Sequence, residues 1–246
     1  STSEAQDGVA NEVVEQMLDV MEGRTPSYAV NAPLAPAETV KEIAPFIPVC
    51  LSAGQLISQL LDGQPESLEI FFHGDIAKYD TGVLRASVIS GFMERSSEER
   101  VSIVNATLVA QRRGIKVTER KNEDVEEFYG NLITIEAKSS EGSSLISGAL
   151  INGQVHIVKL GSHLVDIVPS GKPWIMINHT DRPGMIGHIG TVTGENDINI
   201  ASMQVSREDA RGPALTVLGL DQEVDPEQLE SIINIDDVNR VRVAHI

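Results

Sequence analysis

Apolar positions along the chain recur at helical spacing, then at strand spacing, in an order that splits it into three stretches. In the first, Val9, Val13, Val14, Met17, Leu18 and Met21 form an i, i+4 stripe that stops at Gly23, and Ser3 with Gln6 has the spacing of a capping box. The middle stretch opens with a helix from Pro48 that carries Val49, Ala53, Leu56, Ile57, Leu60 and Leu61 and closes at Gly63. A strand over 68–72 follows. A helix from near Thr81 carries Val83, Leu84, Val88 and Phe92, and another is marked by Val101, Val104, Leu108 and Val109 and ended by Gly114. After a strand over 115–118 and an acidic stretch over 122–127, strand-like runs come at 132–137, 145–151, 155–160 and 164–168, separated by Gly and Ser turns. This is the pattern of a mixed α/β domain of ordinary size.

The last stretch reads strand, helix, strand, strand, helix, strand. Trp174 to Ile177 form a short apolar strand, and Asn178, His179, Thr180 and Asp181 turn polar before Arg182, Pro183 and Gly184. Asp181 is a suitable N-cap, with a proline close behind it. Met185, Ile186, Ile189 and Val192 then run at helical spacing to a stop over 194–197, with strands over 199–205 and 214–220, a helix over 226–233 and a strand over 238–244. That order predicts a ferredoxin-like βαββαβ sandwich, so the fold class is α+β, a mixed α/β domain followed by this smaller one. Gly184, Gly187 and Gly190 are spaced three and three. A dinucleotide fingerprint needs two glycines in the tight turn before its helix, and the stripe is expected instead to let the helix pack closely on the sheet.

The DRPG turn over 181–184, the helix behind it and the D-x-N-I-x-x-M-Q strand from Asp197 resemble the ACT domain, a regulatory module that binds amino acids. The STSEAQ start and the VNAP segment over 30–33 resemble the end of the catalytic part of long-form D-3-phosphoglycerate dehydrogenases, and VNATLVAQRRGI over 104–115 resembles the domain that this family inserts before its ACT domain. The resemblance implies three parts: a terminal helix and linker of the catalytic part over 1–44, an allosteric substrate-binding-like domain over 45–170 and an ACT domain over 171–246. It also implies a catalytic histidine and an NAD-binding domain upstream of Ser1. No catalytic residue and no cofactor is therefore expected in this chain, and NAD would belong to the parent enzyme.

The family's effector is L-serine, held where two ACT domains pair through their sheets. Carried over motif by motif, the effector-binding residues are His179, Asp181, Gly184, Met185 and Asn199. The chemistry suits the ligand: a carboxylate can hold an ammonium, an amide both donates and accepts, and N–H groups at Gly184 and Met185 can meet a carboxylate. The bland readings are a helix cap for Asp181 and a turn residue for Asn199. In the inserted domain the resemblance implies an anion site, for which His156 and Lys159 stand in the right region, near His163 and Lys172. The link itself reads VPSGKP, without arginine. Flexible points are expected near Gly171 and over 23–36, where glycine and proline bound the parts.

Composition narrows the field. A net charge of −17 and an isoelectric point near 4.7 argue against a nucleic-acid partner, whose phosphates need a basic surface. No membrane-length apolar run or signal peptide is expected, and the single cysteine, Cys50, reads as a buried small hydrophobe. A cytoplasmic setting follows, with organelle targeting open in an upstream part. The six histidines show no metal-binding spacing, no serine sits in a nucleophile elbow, and the acidic cluster of Glu123, Asp124, Glu126 and Glu127 lacks the layout of a calcium loop. Two rivals stay open: an oligomerisation module that has lost its ligand, and a subunit resembling the small half of a serine dehydratase.

Overall fold

A computed structural model describes residues 3–21, 37–97, 100–124 and 128–246. The 23–36 stretch with VNAP, the side chains of Ser3 and Gln6, and Glu126 and Glu127 lie outside the described residues. Helix α1 (Ser3–Met21) presents Val9, Val13, Val14, Met17 and Leu18 with half or more of each exposed, so its stripe has no cover among the described residues.

Helices α2 (Ala37–Ile43) and α3 (Ile47–Leu60) are joined by a 3-10 turn and lead into β1 (Pro65–Gly74). The helical run Thr39–Leu60, 22 residues at a mean hydropathy of 1.4, is long and apolar enough to cross a membrane by length and composition, which corrects the expectation that no such run exists. In this fold its second half is a core helix, with Val49, Cys50, Ala53, Leu56 and Ile57 fully buried. Helices α4 (Gly82–Met93) and α5 (Ala106–Arg112) follow, then strands β2 (Lys116–Asn122), β3 (Asn131–Ser139), β4 (Gly142–Ile151), β5 (Gln154–Leu160) and β6 (His163–Ile167). Helix α5 does not begin at Val101 as the spacing suggests. Asn105 Oδ1 accepts from the Ser102 N–H at 2.7 Å and its Nδ2 donates to the Arg100 carbonyl, which holds 100–105 as a turn.

The six strands form one sheet in the order β2-β1-β3-β4-β5-β6, parallel only between β1 and β2. Leu68, Ile70 and Phe72 alternate inward from β1 onto the helices, and Glu69 and Phe71 face the other way. Helices α3 and α4 cross at glycines: a Cβ on Gly54 would sit 2.3 Å from the Val88 carbonyl oxygen, and one on Gly91 would sit 2.3 Å from that of Leu51.

The second sheet holds β7 (Pro173–Thr180), β8 (Ile200–Arg207), β9 (Pro213–Leu220) and β10 (Val238–His245), with α6 (Met185–Glu195) and α7 (Pro226–Ile233) as crossovers. Its order is β10-β7-β9-β8, antiparallel throughout, which is the ferredoxin-like arrangement the pattern predicts. Helix α7 starts from a full capping box, Asp225 with Gln228.

Three local expectations fail here. The first strand does not stop at Ile177: Asn178, His179 and Thr180 continue it, because they pair with both β9 and β10 or their ends. Asp181 is not the N-cap of α6: Gly184, at φ 93°, holds that place. The glycine stripe does not pack on the sheet either. Met185, Ile189 and Thr193, four residues apart, take the buried face, and Gly187 and Gly190 are turned outward, where an added Cβ would meet nothing within 4 Å.

The two sheets share a core. Along β7, Ile175 and Ile177 face α6 and α7, whereas Trp174 and Met176 join Leu215, Val217, Ala244 and Ile246 in the hydrophobic cluster of the first domain. The junction is tied by side chains that imitate backbone pairing. Gln59 donates to the His245 carbonyl and accepts its N–H, both at 3.0 Å, and Gln204 does the same for Asp166, accepting its N–H at 2.7 Å.

Candidate functional site

The DRPG turn, around which the site is expected, follows the end of β7. Asp181 N–H donates to the Gly212 carbonyl at 2.8 Å, which pins the turn to the start of β9. Its Oδ2 accepts from Arg207 Nη1 at 2.7 Å and from the Arg211 N–H at 3.3 Å. Those two bonds, the arginine first, hold its carboxyl below the ordinary carboxylate range. Arg182 pairs with Asp237 and donates to the Asp236 carbonyl, so the turn is fastened on its other side to the approach of β10.

His179 lies beneath this turn with 1% of its surface exposed. Its Nε2 meets Thr216 Oγ1 at 2.8 Å and its Nδ1 the Thr180 carbonyl at 3.1 Å. Both ring nitrogens are therefore spent inside the fold. The Met185 N–H is also engaged, donating to the Arg182 carbonyl at 3.2 Å, and the Met185 side chain is buried. Gly184 is exposed, with open space where a side chain would stand.

Asn199 is not brought to Asp181. It precedes β8 at the opposite end of the sheet, where its Nδ2 donates to Asp221 Oδ2 at 2.6 Å and Lys172 Nζ pairs with Asp221 Oδ1 at 2.8 Å. Lys172 and Asn199, in that order, hold the Asp221 carboxyl below its ordinary range. Asp181 bonds to Gly212 and Asn199 to Asp221, nine residues apart along β9, so the two candidates stand on the order of 25–30 Å apart within one chain.

Residues 42–161 match the family model described as the D-3-phosphoglycerate dehydrogenase intervening domain. A D-3-phosphoglycerate dehydrogenase of Methanocaldococcus jannaschii is 34% identical over 246 residues, covering 100% of this chain and 46% of that protein. One of Synechocystis is 34% identical over 237 residues, covering 96% and 42%. The chain belongs to the D-3-phosphoglycerate dehydrogenase family and matches the C-terminal part of its long form. It spans a little under half the length of these curated relatives. Among solved structures, the ACT domain of GTP pyrophosphokinase from Chlorobium tepidum covers 29% of this chain and 94% of its own, at 21% identity and a TM-score of 0.24.

Within this family frame the anion candidates can be placed. His156 Nδ1 meets Asp166 Oδ1 at 2.5 Å, and neither His156 nor Lys159 lines a described cavity. A cavity of about 310 Å³ does open between the two sheets, lined by Leu60, Ser162, His163, Asn178, Arg240 and Arg242 among others. Asp62 accepts from both arginines, and His163 Nδ1 is buried there without a partner among the described residues. β10 thus brings two arginines to this cavity, whereas the link has none. Their signal in the sequence is the alternation Val238, Arg240, Val241, Arg242, Val243, which reads only as a half-exposed strand. No group of three or more His, Cys, Asp or Glu placed to hold a metal occurs among the described residues.

Proposed function

We propose that the chain is the regulatory part of an NAD-dependent D-3-phosphoglycerate dehydrogenase of serine biosynthesis, and that it binds L-serine where the ferredoxin-like sheets of two copies meet. The supporting observation is the position of the two half-sites on β8, an edge strand whose two ends carry them. If β8 pairs antiparallel with its copy about a two-fold axis near Met203 and Gln204, Asn199 of one copy comes beside Arg207 of the other, and through it beside Asp181. One chain holds two incomplete halves. A pair of chains makes two complete sites, with His179 supporting each turn from beneath.

Serine would then inhibit by favouring one arrangement of the assembly, with couplings of this kind typically about 1–3 kcal/mol. Calorimetry and light scattering test the reading: a dimer binding one serine per chain is expected, and no binding by Asp181→Ala or Asn199→Ala alone. Mixing the two variants should restore roughly a quarter of the sites, because half of the pairs carry one intact site. Restoration on mixing cannot occur if each site lies within one chain, and its absence would defeat the shared site. A dimer that ignores serine would leave an oligomerisation module.

The same reading extends to an anion resembling the phosphorylated substrate, with the interdomain cavity as its place in preference to His156 and Lys159. Two arginines there share one carboxylate, so a charge remains to be met.

A further inference from the structure

We propose that Arg207 is the residue that reads the α-carboxylate of the bound amino acid, and that its pair with Asp181 is a closed form of the site that the zwitterionic ligand opens. This rests on the amino-acid site proposed above and adds to it the group that selects the ligand's charge pattern.

The need for such a group comes from the turn itself. An amino acid brings an ammonium and a carboxylate two bonds apart. Asp181 can take the first; for the second, the Met185 N–H is occupied by the Arg182 carbonyl, and a backbone N–H carries no full charge to set against the carboxylate. Of the arginines at the turn, Arg182 is paired with Asp237 and Arg211 reaches Asp181 through its backbone N–H, whereas Arg207 meets the carboxylate with its guanidinium. It sits at the end of β8 with 56% of its side chain exposed, and its side chain bonds to Asp181 through Nη1. A guanidinium offers five N–H donors in a planar fork, so one bond to a carboxylate leaves most of its capacity free.

Both bonds to the Asp181 carboxylate fall on Oδ2, leaving Oδ1 without a partner among the described residues. A zwitterion entering between the two side chains exchanges one ion pair for two: ammonium to Asp181, carboxylate to Arg207. A ligand with only one of the charges gains one pair and must break another, so it gains little. The Asp181 and Arg207 pair therefore screens out simple amines and simple acids, including the acidic metabolites that an anion site would accept.

The test compares L-serine with 2-aminoethanol, which lacks the carboxylate, and 3-hydroxypropanoate, which lacks the ammonium, by calorimetry on the full chain. The wild-type chain should bind serine at least about tenfold more tightly than either. Arg207→Gln should weaken serine by about tenfold or more while leaving 2-aminoethanol unchanged or bound more tightly, because Asp181 is released. Arg207→Lys, which keeps the charge but loses the fork, should fall between.

Equal weakening of serine and 2-aminoethanol by the glutamine variant would mean that Arg207 only holds the turn, and would overturn the proposal. So would wild-type protein that binds 2-aminoethanol as well as serine, an outcome that requires no variant to fold. Serine bound by wild type and equally by Arg207→Gln overturns the role of Arg207 alone. No binding of serine by wild type removes the site proposal itself.

Discussion

Asp181 shows how much a single residue's role depends on its partners. By sequence it is a helix cap with an alternative in binding, and in the structure its carboxylate turns away from the helix to Arg207 and the Arg211 N–H. Asp221 is held in the same way by Lys172 and Asn199. Both carboxyls are lowered, so each contributes stability that is present above the unfolded Asp value of about 3.9 and is lost as pH falls through the lower folded value. The carboxyl carbon of Asp181, followed by NMR, should titrate below about 3.9 and return toward that value in Arg207→Gln. Serine affinity should fade over the same acidic window. A wild-type midpoint at or above the unfolded value would show that the pair does not persist in solution. Cys50 met its sequence reading: it is buried, and burial raises its thiol pKa far above the usual range.

Among the elements, the crossing of α3 and α4 is the contact most sensitive to one atom. Gly54 and Gly91 each face a backbone carbonyl of the other helix with no room for a methyl group. Gly54→Ala should therefore cost about 2–3 kcal/mol by overpacking, despite alanine's better helix propensity, and lower the thermal midpoint by roughly 5–10 °C. A scan showing the variant as stable as wild type would mean the helices can part without loss. The sequence marks α3 by its apolar spacing, but Gly54 within it looks like any weak helical residue. The same limit explains the reversed glycine face of α6. Spacing identified both Met185 with Ile189 and the three glycines as stripes, and only the sheet beneath decided that the larger side chains would be buried.

For the whole molecule, the relation between its two sheets matters most. The second face of the ferredoxin-like sheet is closed by the first domain, with the Gln59 and Gln204 side chains completing the seam and Asp62 tying down Arg240 and Arg242. The link at Gly171 has a positive φ of 72°, and the Ser170 and Gly171 N–H groups donate to the Ile246 carbonyl at 2.9 and 2.6 Å. A ligand at this seam would bear on both sheets at once. Inorganic phosphate followed by NMR should shift His163, Asn178 and Arg240 and spare His156 and Lys159, and Asp62→Asn should tighten it by roughly tenfold by removing the internal competitor. Silence at His163 and Arg240 would empty the cavity of that role. By itself the sequence determined the elements and the order βαββαβ, because periodicity and turn residues are local. It also supplied the family motifs around Asp181 and Asn199. Only the tertiary structure decided that those two residues stand at opposite ends of one sheet, that His179 is buried, and that two arginines of the last strand meet Asp62 across a domain seam. These are relations between residues far apart in the chain, set by strand register and packing that no local pattern encodes.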